Sequence, residues 1–283
     1  MKLLINFSFV MALLLPQFST AEIPAPDGQE SILSIDTSKN KYDYDTSLKF
    51  SQDAIDRQLG DYRFTDSEGR PRTLKDFRGK PLVLSMVYTS CYQICPMTTR
   101  HLSKVVEKAR ESLGKDNFAV AVVGFDTSVD TPQAMQYFAN KQGIHNKNWY
   151  LLSVSADDVE ALAKDTGFLY FPSVNGFDHL IQATIIDAEG KVYNQVYGQV
   201  FDTPLLIEPL KELILGQPKK DQSFLSSLGN KIKLFCTIYD PVRDGYYFDY
   251  SLFIGILIGA LIIILIIVFM IKELRKHKQS GVS

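Results

Sequence analysis

Apolar and polar residues alternate along the middle of the chain in blocks of strand and helix length. Largely apolar runs at residues 81–87, which include Ser85, and at 118–123 are typical of strands buried on both faces. Helix starts are indicated by Pro96 and by Thr131-Pro132. The predicted order is strand 82–88, helix 96–113, strand 118–123, a helix from 132, strand 149–154 and a helix over about 156–164. This alternation predicts parallel pairing of the strands.

Two later segments predict a β-hairpin. Residues 183–187 and 191–196 flank a turn at Glu189-Gly190. A closing helix is predicted over 204–215 and ends before Gly216 and Pro218. Residues 61–216 are therefore expected to form one α/β domain, in which helices flank a central mixed sheet.

The N-terminal 21 residues are typical of an export signal. A basic Lys2 precedes an apolar run over residues 3–15, and the small residues Ser19-Thr20-Ala21 follow where a signal peptidase would cut. An ordinary buried helix is disfavoured because the run is short and apolar all round. Residues 22–60 are polar and turn-rich, and we expect an extended lead-in to the domain.

A second apolar segment near the C-terminus predicts a membrane anchor. Residues 251–271 carry no charge and are long enough to cross a hydrocarbon core as a helix. An aromatic belt precedes it and basic residues follow it: Tyr246, Tyr247, Phe248 and Tyr250, then Lys272, Arg275, Lys276 and Lys278. The basic residues after the apolar segment predict that the tail 272–283 is cytoplasmic. Residues 217–250 are then expected to link the exported domain to the anchor.

Composition narrows the class of function further. Hydrophobic residues make up 46% of the 283 residues and charged residues 22%, which is ordinary for a globular protein. Between residues 22 and 250 acidic residues outnumber basic ones, so nucleic acid is not expected as a partner. The chain has three cysteines, too few for a disulfide framework in a protein of this size.

Two of these cysteines form the main candidate site. Cys91 and Cys95 lie four apart between the first core strand and Pro96. Near a helix start, free N–H groups and the helix dipole favour thiolates, which bind metals or exchange disulfides. A passive disulfide is the alternative, but so small a loop would constrain few residues. The pair therefore indicates a metal-binding or redox role.

The arrangement of a dithiol between the first core strand and a helix is the thioredoxin plan, and three motifs make the resemblance more specific. They are Tyr88-Thr89-Ser90-Cys91-Tyr92-Gln93-Ile94-Cys95-Pro96, Phe125-Asp126 leading to Asp130-Thr131-Pro132, and Asp178-His179. Together they resemble the SCO/SenC/PrrC family of copper-binding, thioredoxin-like assembly proteins over roughly residues 55–216. Many members have proline where this chain has Tyr92, and many are anchored at the N-terminus.

The resemblance implies that Cys91, Cys95 and His179 bind copper. Copper(I) prefers thiolates and tolerates imidazole, copper(II) accepts imidazole readily, and a disulfide of the two cysteines would hold neither. A structural zinc site would need a fourth ligand. The implied role is a membrane-tethered copper chaperone for the copper-A centre of oxidase subunit II, in contact with that subunit or with copper-delivery proteins.

A second hypothesis is a thiol-disulfide reductase that acts through Cys91 and Cys95 on the cysteines of a target. A pure dithiol exchanger does not need His179, and dedicated thioredoxin-like reductases usually have two residues between the cysteines rather than three. A peroxidase, in which one thiolate attacks peroxide and the other resolves the sulfenate, is a third and less favoured option. Whether the chain is an enzyme is left open, with a metallochaperone preferred.

Several other residues have two interpretations each. Asp178 either orients the imidazole or is a solvated loop acid, and Met97 is either an auxiliary ligand or helix packing. Asp126 either positions the dithiol or forms a turn. Cys236 is either free or intermolecular. We expect His101 and His145 at the surface, and His277 on the other side of the membrane.

Overall fold

The computed structural model describes residues 41–145, 147–216, 237–241 and 243–280. The helices are α1 (Tyr44–Gln52), α2 (Ile94–Leu113), α3 (Pro132–Gln142), α4 (Val159–Asp165), α5 (Thr203–Gly216) and α6 (Ser251–Ser280). The strands are β1 (Arg63–Asp66), β2 (Pro71–Thr73), β3 (Leu82–Val87), β4 (Ala119–Gly124), β5 (Trp149–Val154), β6 (Tyr170–Ser173), β7 (Gly176–His179), β8 (Gln182–Ile186), β9 (Val192–Tyr197), β10 (Thr237–Asp240) and β11 (Gly245–Phe248).

A seven-stranded mixed sheet runs through the domain in the order β2-β1-β5-β4-β3-β8-β9. The three predicted core strands β3, β4 and β5 are parallel, and β8 pairs with β3 and β9 in antiparallel fashion. Every residue of β3 and β4 is buried, which explains why their sequences are apolar except for Ser85. The predicted α/β class, the parallel centre and the β8–β9 hairpin are confirmed.

Two predicted helix starts shift by a few residues for local reasons. Helix α2 begins at Ile94, so Pro96 is its third residue, still inside the first turn where backbone N–H groups have no intrahelical partner. Helix α4 begins at Val159 rather than near residue 156. The preceding Asp157 and Asp158 instead bind Arg63, at 3.1 and 2.9 Å.

The expected extended lead-in over 22–60 is wrong for its last part. Asp43 caps a helix by accepting a hydrogen bond from the Thr46 backbone N–H at 2.8 Å, and α1 follows. Its end packs against β9, because Gln195 and Tyr197 hydrogen-bond to Ser51 at 3.4 and 3.0 Å. Residues 1–40, including the predicted export signal over 1–21, lie outside the described residues.

The C-terminal part departs from the expected linker. Residues 237–248, inside the predicted linker 217–250, contain the antiparallel pair β10–β11, and β11 contacts α2. Helix α6 contains the predicted anchor, since Ser251–Lys272 is long and apolar enough to cross a membrane. Cys236 lies outside the described residues.

Candidate metal centre

The dithiol loop begins where β3 ends, at the edge of the sheet. The Cys91 backbone N–H donates to the Tyr88 carbonyl at 3.1 Å, which forms a turn. Cys91 is half-buried, whereas Cys95, in the first turn of α2, is only 3% exposed. Both are free thiols in this structure. The chain therefore presents one accessible sulfur and holds the other behind it.

The two thiols have opposite acidities. The Cys95 backbone N–H donates to Cys91 Sγ at 3.3 Å. A hydrogen bond from the Cys95 thiol, helped by backbone N–H groups and opposed by burial, lowers the pKa of Cys91 to about 4. The same hydrogen bond, together with burial, raises the pKa of Cys95. Cys91 is thus the thiolate near neutral pH, and Cys95 keeps its proton.

A buried carboxylate that the sequence analysis missed supports this loop. Asp130 accepts hydrogen bonds from the Thr89 N–H at 2.8 Å, the Thr89 hydroxyl at 2.7 Å and the Asp126 N–H at 2.9 Å. Its 2% exposure shows that this carboxylate is a structural part of the site. A signal was present in the sequence, because Asp130 belongs to the Asp130-Thr131-Pro132 motif.

Asp126 forms a turn rather than positioning the dithiol. Its carboxylate accepts a hydrogen bond from the Ser128 hydroxyl at 2.6 Å. The neighbouring Gly124 leaves room for this arrangement, because a Cβ there would lie 2.5 Å from the Asp130 Cβ. The turn interpretation of Asp126 is therefore confirmed.

The sheet topology explains how His179, 88 residues after Cys91, reaches the same edge. Strand β8 is antiparallel to β3, with Ala183 opposite Ser85, so the residues just before β8 lie where β3 ends. His179 is the last residue of β7, opposite Tyr170 of β6. Strands of four residues, such as β6 and β7, give too short a pattern for detection from sequence.

The imidazole of His179 is oriented by the backbone. Its Nδ1 lies 3.0 Å from the Leu180 carbonyl oxygen. Since a carbonyl can only accept, Nδ1 carries the proton and Nε2 keeps a lone pair. Burial lowers the pKa of His179, so the ring is neutral near pH 7. Asp178 is exposed, and the orienting acceptor is Leu180 instead.

An aromatic cluster surrounds this imidazole and connects it to the dithiol loop. The His179 ring centroid lies 5.1 Å from Phe168, 5.9 Å from Phe125 and 6.1 Å from Tyr88. The Tyr88 hydroxyl hydrogen-bonds to Cys91, and burial followed by this bond raises the pKa of Tyr88 to about 12. Tyr88 thus contacts both the thiolate and the imidazole.

The β6–β7 hairpin approaches Tyr88 closely at one glycine. Gly176 has φ +115°, and a Cβ there would lie 2.8 Å from the Tyr88 ring. The Tyr88 hydroxyl also lies 3.5 Å from the Phe177 carbonyl oxygen. Gly176 therefore sets the distance between the hairpin that carries His179 and the dithiol loop.

The three predicted ligands lie at one edge of the sheet without forming a closed metal cage. Within the described ranges, no group of three or more His, Cys, Asp or Glu side chains is placed to hold a metal ion. Cys95 is buried behind Cys91, and Tyr88 contacts both Cys91 and His179. The ligand set of Cys91, Cys95 and His179 stays a prediction.

The remaining candidates divide between surface and packing. His145 is exposed, as expected. His101 is not a surface residue: it is half-buried, and its ring packs against the Phe201 ring at 4.7 Å. Its Nε2 lies 2.8 Å from the Phe201 carbonyl oxygen and 3.2 Å from the Phe201 nitrogen. Met97 is 36% exposed, and both of its interpretations stay open. The side chain of His277 lies outside the described residues.

The fold and this edge define a thioredoxin-like protein with an accessible thiolate, a buried partner thiol and a neutral imidazole close by. The family model described as SCO1/SenC matches residues 51–215. The chain belongs to the SCO1/SenC family.

Individual relatives agree with this assignment. The chain is 24% identical over 159 residues to an SCO1 protein homolog of Bacillus subtilis, which covers 54% of this chain and 80% of the relative. A SCO1/SenC family lipoprotein of Bacillus anthracis is 28% identical, with a TM-score of 0.51 over 56% of this chain and 96% of that chain. Arabidopsis thaliana ScoI, solved with copper bound, is 22% identical, with a TM-score of 0.48 over 54% of this chain and 96% of that chain. Copper is thus a ligand of that Arabidopsis protein.

Proposed function

We propose that this protein is a membrane-anchored copper chaperone that binds copper through Cys91, Cys95 and His179. It would assist assembly of the copper-A centre of cytochrome c oxidase, and its partners would be oxidase subunit II or copper-delivery proteins. The domain would lie on the exported, periplasmic side, with the tail 272–283 in the cytoplasm. Membership of the family and the apolar span Ser251–Lys272 support this proposal.

The observation that carries the proposal is the pairing of a stabilised thiolate with a neutral imidazole at one edge of the sheet. Cys91 is ionised near neutral pH, and His179 keeps Nε2 unprotonated, so both are in the form that binds a metal. Copper would replace the proton of Cys95 as the partner of the Cys91 sulfur. An open set of two sulfurs and one nitrogen suits copper(I) as cargo that is later released.

Copper titration of the reduced full chain in detergent tests this role. The full chain is needed because β10 and β11 pack on the domain. We expect one copper(I) per chain, measured by competition with a chromophoric chelator, and sulfur-to-copper charge transfer in the absorption spectrum of the copper(II) form. His179→Ala should lower copper(I) affinity at least about tenfold, which corresponds to about 1.4 kcal/mol, and leave the thiol count unchanged.

His145→Ala is the matched control, because His145 is exposed and distant in sequence from all three ligands. Its copper affinity should equal that of the unaltered chain. If His179→Ala also leaves affinity unchanged, the three-ligand chaperone is contradicted and dithiol exchange becomes the preferred function.

The opposite acidities of the two thiols favour one alternative, thiol-disulfide reduction of a target. The Cys91 thiolate would attack a target disulfide, form a mixed disulfide and release one target thiolate. Cys95 would then lose its proton and attack Cys91 Sγ, which forms the Cys91–Cys95 disulfide and releases the second target thiol. The target is reduced by two electrons and the dithiol is oxidised by two. Loss of this exchange in Cys95→Ser, with no dependence on His179, would support it.

A further inference from the structure

The segment that leads into the apolar helix is attached to the domain by polar contacts at one end of its hairpin. Asp244, in the turn between β10 and β11, forms an ion pair with Lys108 of α2. The same carboxylate accepts hydrogen bonds from the Thr203 hydroxyl at 2.7 Å and the Tyr239 hydroxyl at 2.9 Å. One side chain thus joins the hairpin turn to both α2 and the start of α5.

A second set of contacts attaches the middle of the hairpin, at Tyr246, and its open end, at Thr237. The Tyr246 hydroxyl donates to Glu208 at 2.8 Å, and Lys211 Nζ donates to the Thr237 carbonyl at 2.8 Å. The Tyr246 ring is half-buried and packs against the main hydrophobic core. Because Asp244, Tyr246 and Thr237 all contact the domain, the hairpin has a fixed position on it.

The direction of the hairpin follows from its contacts along α2. Lys108 is thirteen residues beyond Cys95, so it lies about 20 Å from the dithiol along the helix axis. Thr237 and Tyr246 line a cleft with Glu111 and Ser112, which are further still from the dithiol. The hairpin therefore packs on the half of α2 that is remote from the dithiol.

Contacts along α5 show the direction in which the chain leaves the hairpin. Asp244 contacts Thr203, the first residue of α5, whereas Thr237 contacts Lys211, about 12 Å further along that helix. Phe248 pairs with Thr237, so β11 runs away from the dithiol edge as it leads to α6. Two residues, Asp249 and Tyr250, separate β11 from the start of α6.

We infer that the β10–β11 hairpin is a brace that turns the dithiol edge away from the bilayer, toward an acceptor site in a water-exposed domain of the partner. The inference rests on the proposed anchor and site, and it specifies the partner. A partner whose accepting residues lie at the level of the lipid headgroups would not reach Cys91. A partner whose accepting residues lie at least about 20 Å above the bilayer surface would reach Cys91.

Energy transfer to the bilayer measures this orientation in the full chain. In a background of Cys91→Ser, Cys95→Ser and Cys236→Ser, a donor dye is attached either at Val174→Cys or at Lys115→Cys. Val174 is fully exposed at the tip of the β6–β7 hairpin, two residues before the Gly176 that approaches Tyr88. Lys115 is exposed just beyond the far end of α2. The protein is placed in nanodiscs that carry an acceptor dye on the lipid headgroups.

We expect several-fold weaker transfer from position 174 than from position 115. Equal transfer from both positions, or stronger transfer from 174, would overturn the inference. A chain that does not associate with nanodiscs at all would contradict the anchor in the proposed function, so the two failures are distinguishable.

The brace itself is tested by removing its contacts. Asp244→Ala combined with Tyr246→Phe should bring the two transfer efficiencies close together, because the domain could then tilt. Tyr247→Phe, a change at an exposed residue of the same strand, should preserve the difference. A difference that persists in the double variant would show that the hairpin does not set the orientation. With all cysteines present, copper binding should be unchanged in the double variant and in Tyr247→Phe. The substituted residues pack on the half of α2 that is remote from the dithiol.

Discussion

The asymmetry between Cys91 and Cys95 arises from individual hydrogen bonds. A helix start alone favours both thiolates, but only the half-buried Cys91 receives the Cys95 thiol and N–H as donors. The hydrogen bond to Cys91, followed by burial, raises the pKa of Cys95 and leaves it protonated. The sequence places two cysteines near a helix start, but it does not show which sulfur is ionised, because that depends on which one the loop buries.

Alkylation kinetics should reveal this asymmetry. In the reduced, copper-free chain, the rate of Cys91 alkylation by iodoacetamide should be nearly constant from pH 8 to pH 5. It should fall only as the pH approaches the Cys91 pKa of about 4, because the thiolate is the reactive form. Mass spectrometry of the modified peptide gives the rate.

Cys95→Ser tests the cause of the shift. A serine hydroxyl and the backbone N–H at position 95 remain as donors, so Cys91 should stay more acidic than a free cysteine. Cys95→Ala removes the largest contribution and should move the pH at which the rate falls upward. An unchanged pH profile in Cys95→Ala would contradict the assigned cause.

At the scale of elements, long apolar patterns were predictable and short ones were not. Strands β3 and β4 are largely apolar six-residue runs, and the sequence predicts them nearly to the residue. Strands β6 and β7 have four residues each, with mixed exposure, and β10–β11 lies in a polar, tyrosine-rich stretch that resembles a linker. The position of His179 was implied by family resemblance, since only the antiparallel pairing of β8 with β3 brings it to the dithiol.

The β6–β7 hairpin should control copper binding through Gly176. Gly176→Ala places a methyl group against the Tyr88 ring at a positive φ, which should displace the hairpin and with it His179. We expect at least about a tenfold loss of copper(I) affinity with an unchanged thiol count, and a loss of stability greater than the strain of positive φ alone, about 1–2 kcal/mol. Chelator competition and thermal unfolding measure the two effects.

Gly69→Ala is the matched control for this change. Gly69 has φ +81°, and no atom lies within 4 Å of a Cβ at this position. An alanine there therefore has the strain of a positive φ but no steric contact. Gly69→Ala should lose stability and keep its copper affinity. If both variants lose affinity equally, the effect of Gly176 would come from general destabilisation rather than from the position of His179.

At the scale of the whole molecule, the dithiol and the β10–β11 hairpin that leads to α6 lie at opposite ends of α2. The parallel strands carry the dithiol to one edge, and α2 and α5 extend from that edge to the β10–β11 hairpin. The sequence predicts the anchor from its apolar length and the domain from its periodicity, but the relation between them depends on side-chain contacts such as Asp244 with Lys108. Such contacts leave no periodic pattern in the chain.

The attachment of the β10–β11 hairpin to the domain through Asp244 should be unchanged in mild acid. Lys108, followed by Thr203, lowers the pKa of Asp244 to about 2. Because the folded pKa is below the unfolded one, the stabilisation by Asp244 is fully present above the unfolded value near 4 and is lost only as the pH falls through about 2. Hydrogen-exchange protection of 237–240 and 245–248, corrected for intrinsic rates, should therefore be the same at pH 7 and pH 5. Lys108→Ala should reduce the hydrogen-exchange protection of the hairpin at both pH values.

Lys104→Ala removes an exposed lysine from the same helix and should leave protection of the hairpin unchanged. Protection that falls between pH 7 and pH 5 in the unaltered chain would mean that a group with an ordinary carboxyl or imidazole pKa holds the hairpin. In that case the orientation of the dithiol edge would vary with pH. Constant protection would mean that the edge keeps one orientation between pH 7 and pH 5. Any pH dependence of the proposed copper delivery would then have to originate at Cys91, at His179 or in the proposed partner.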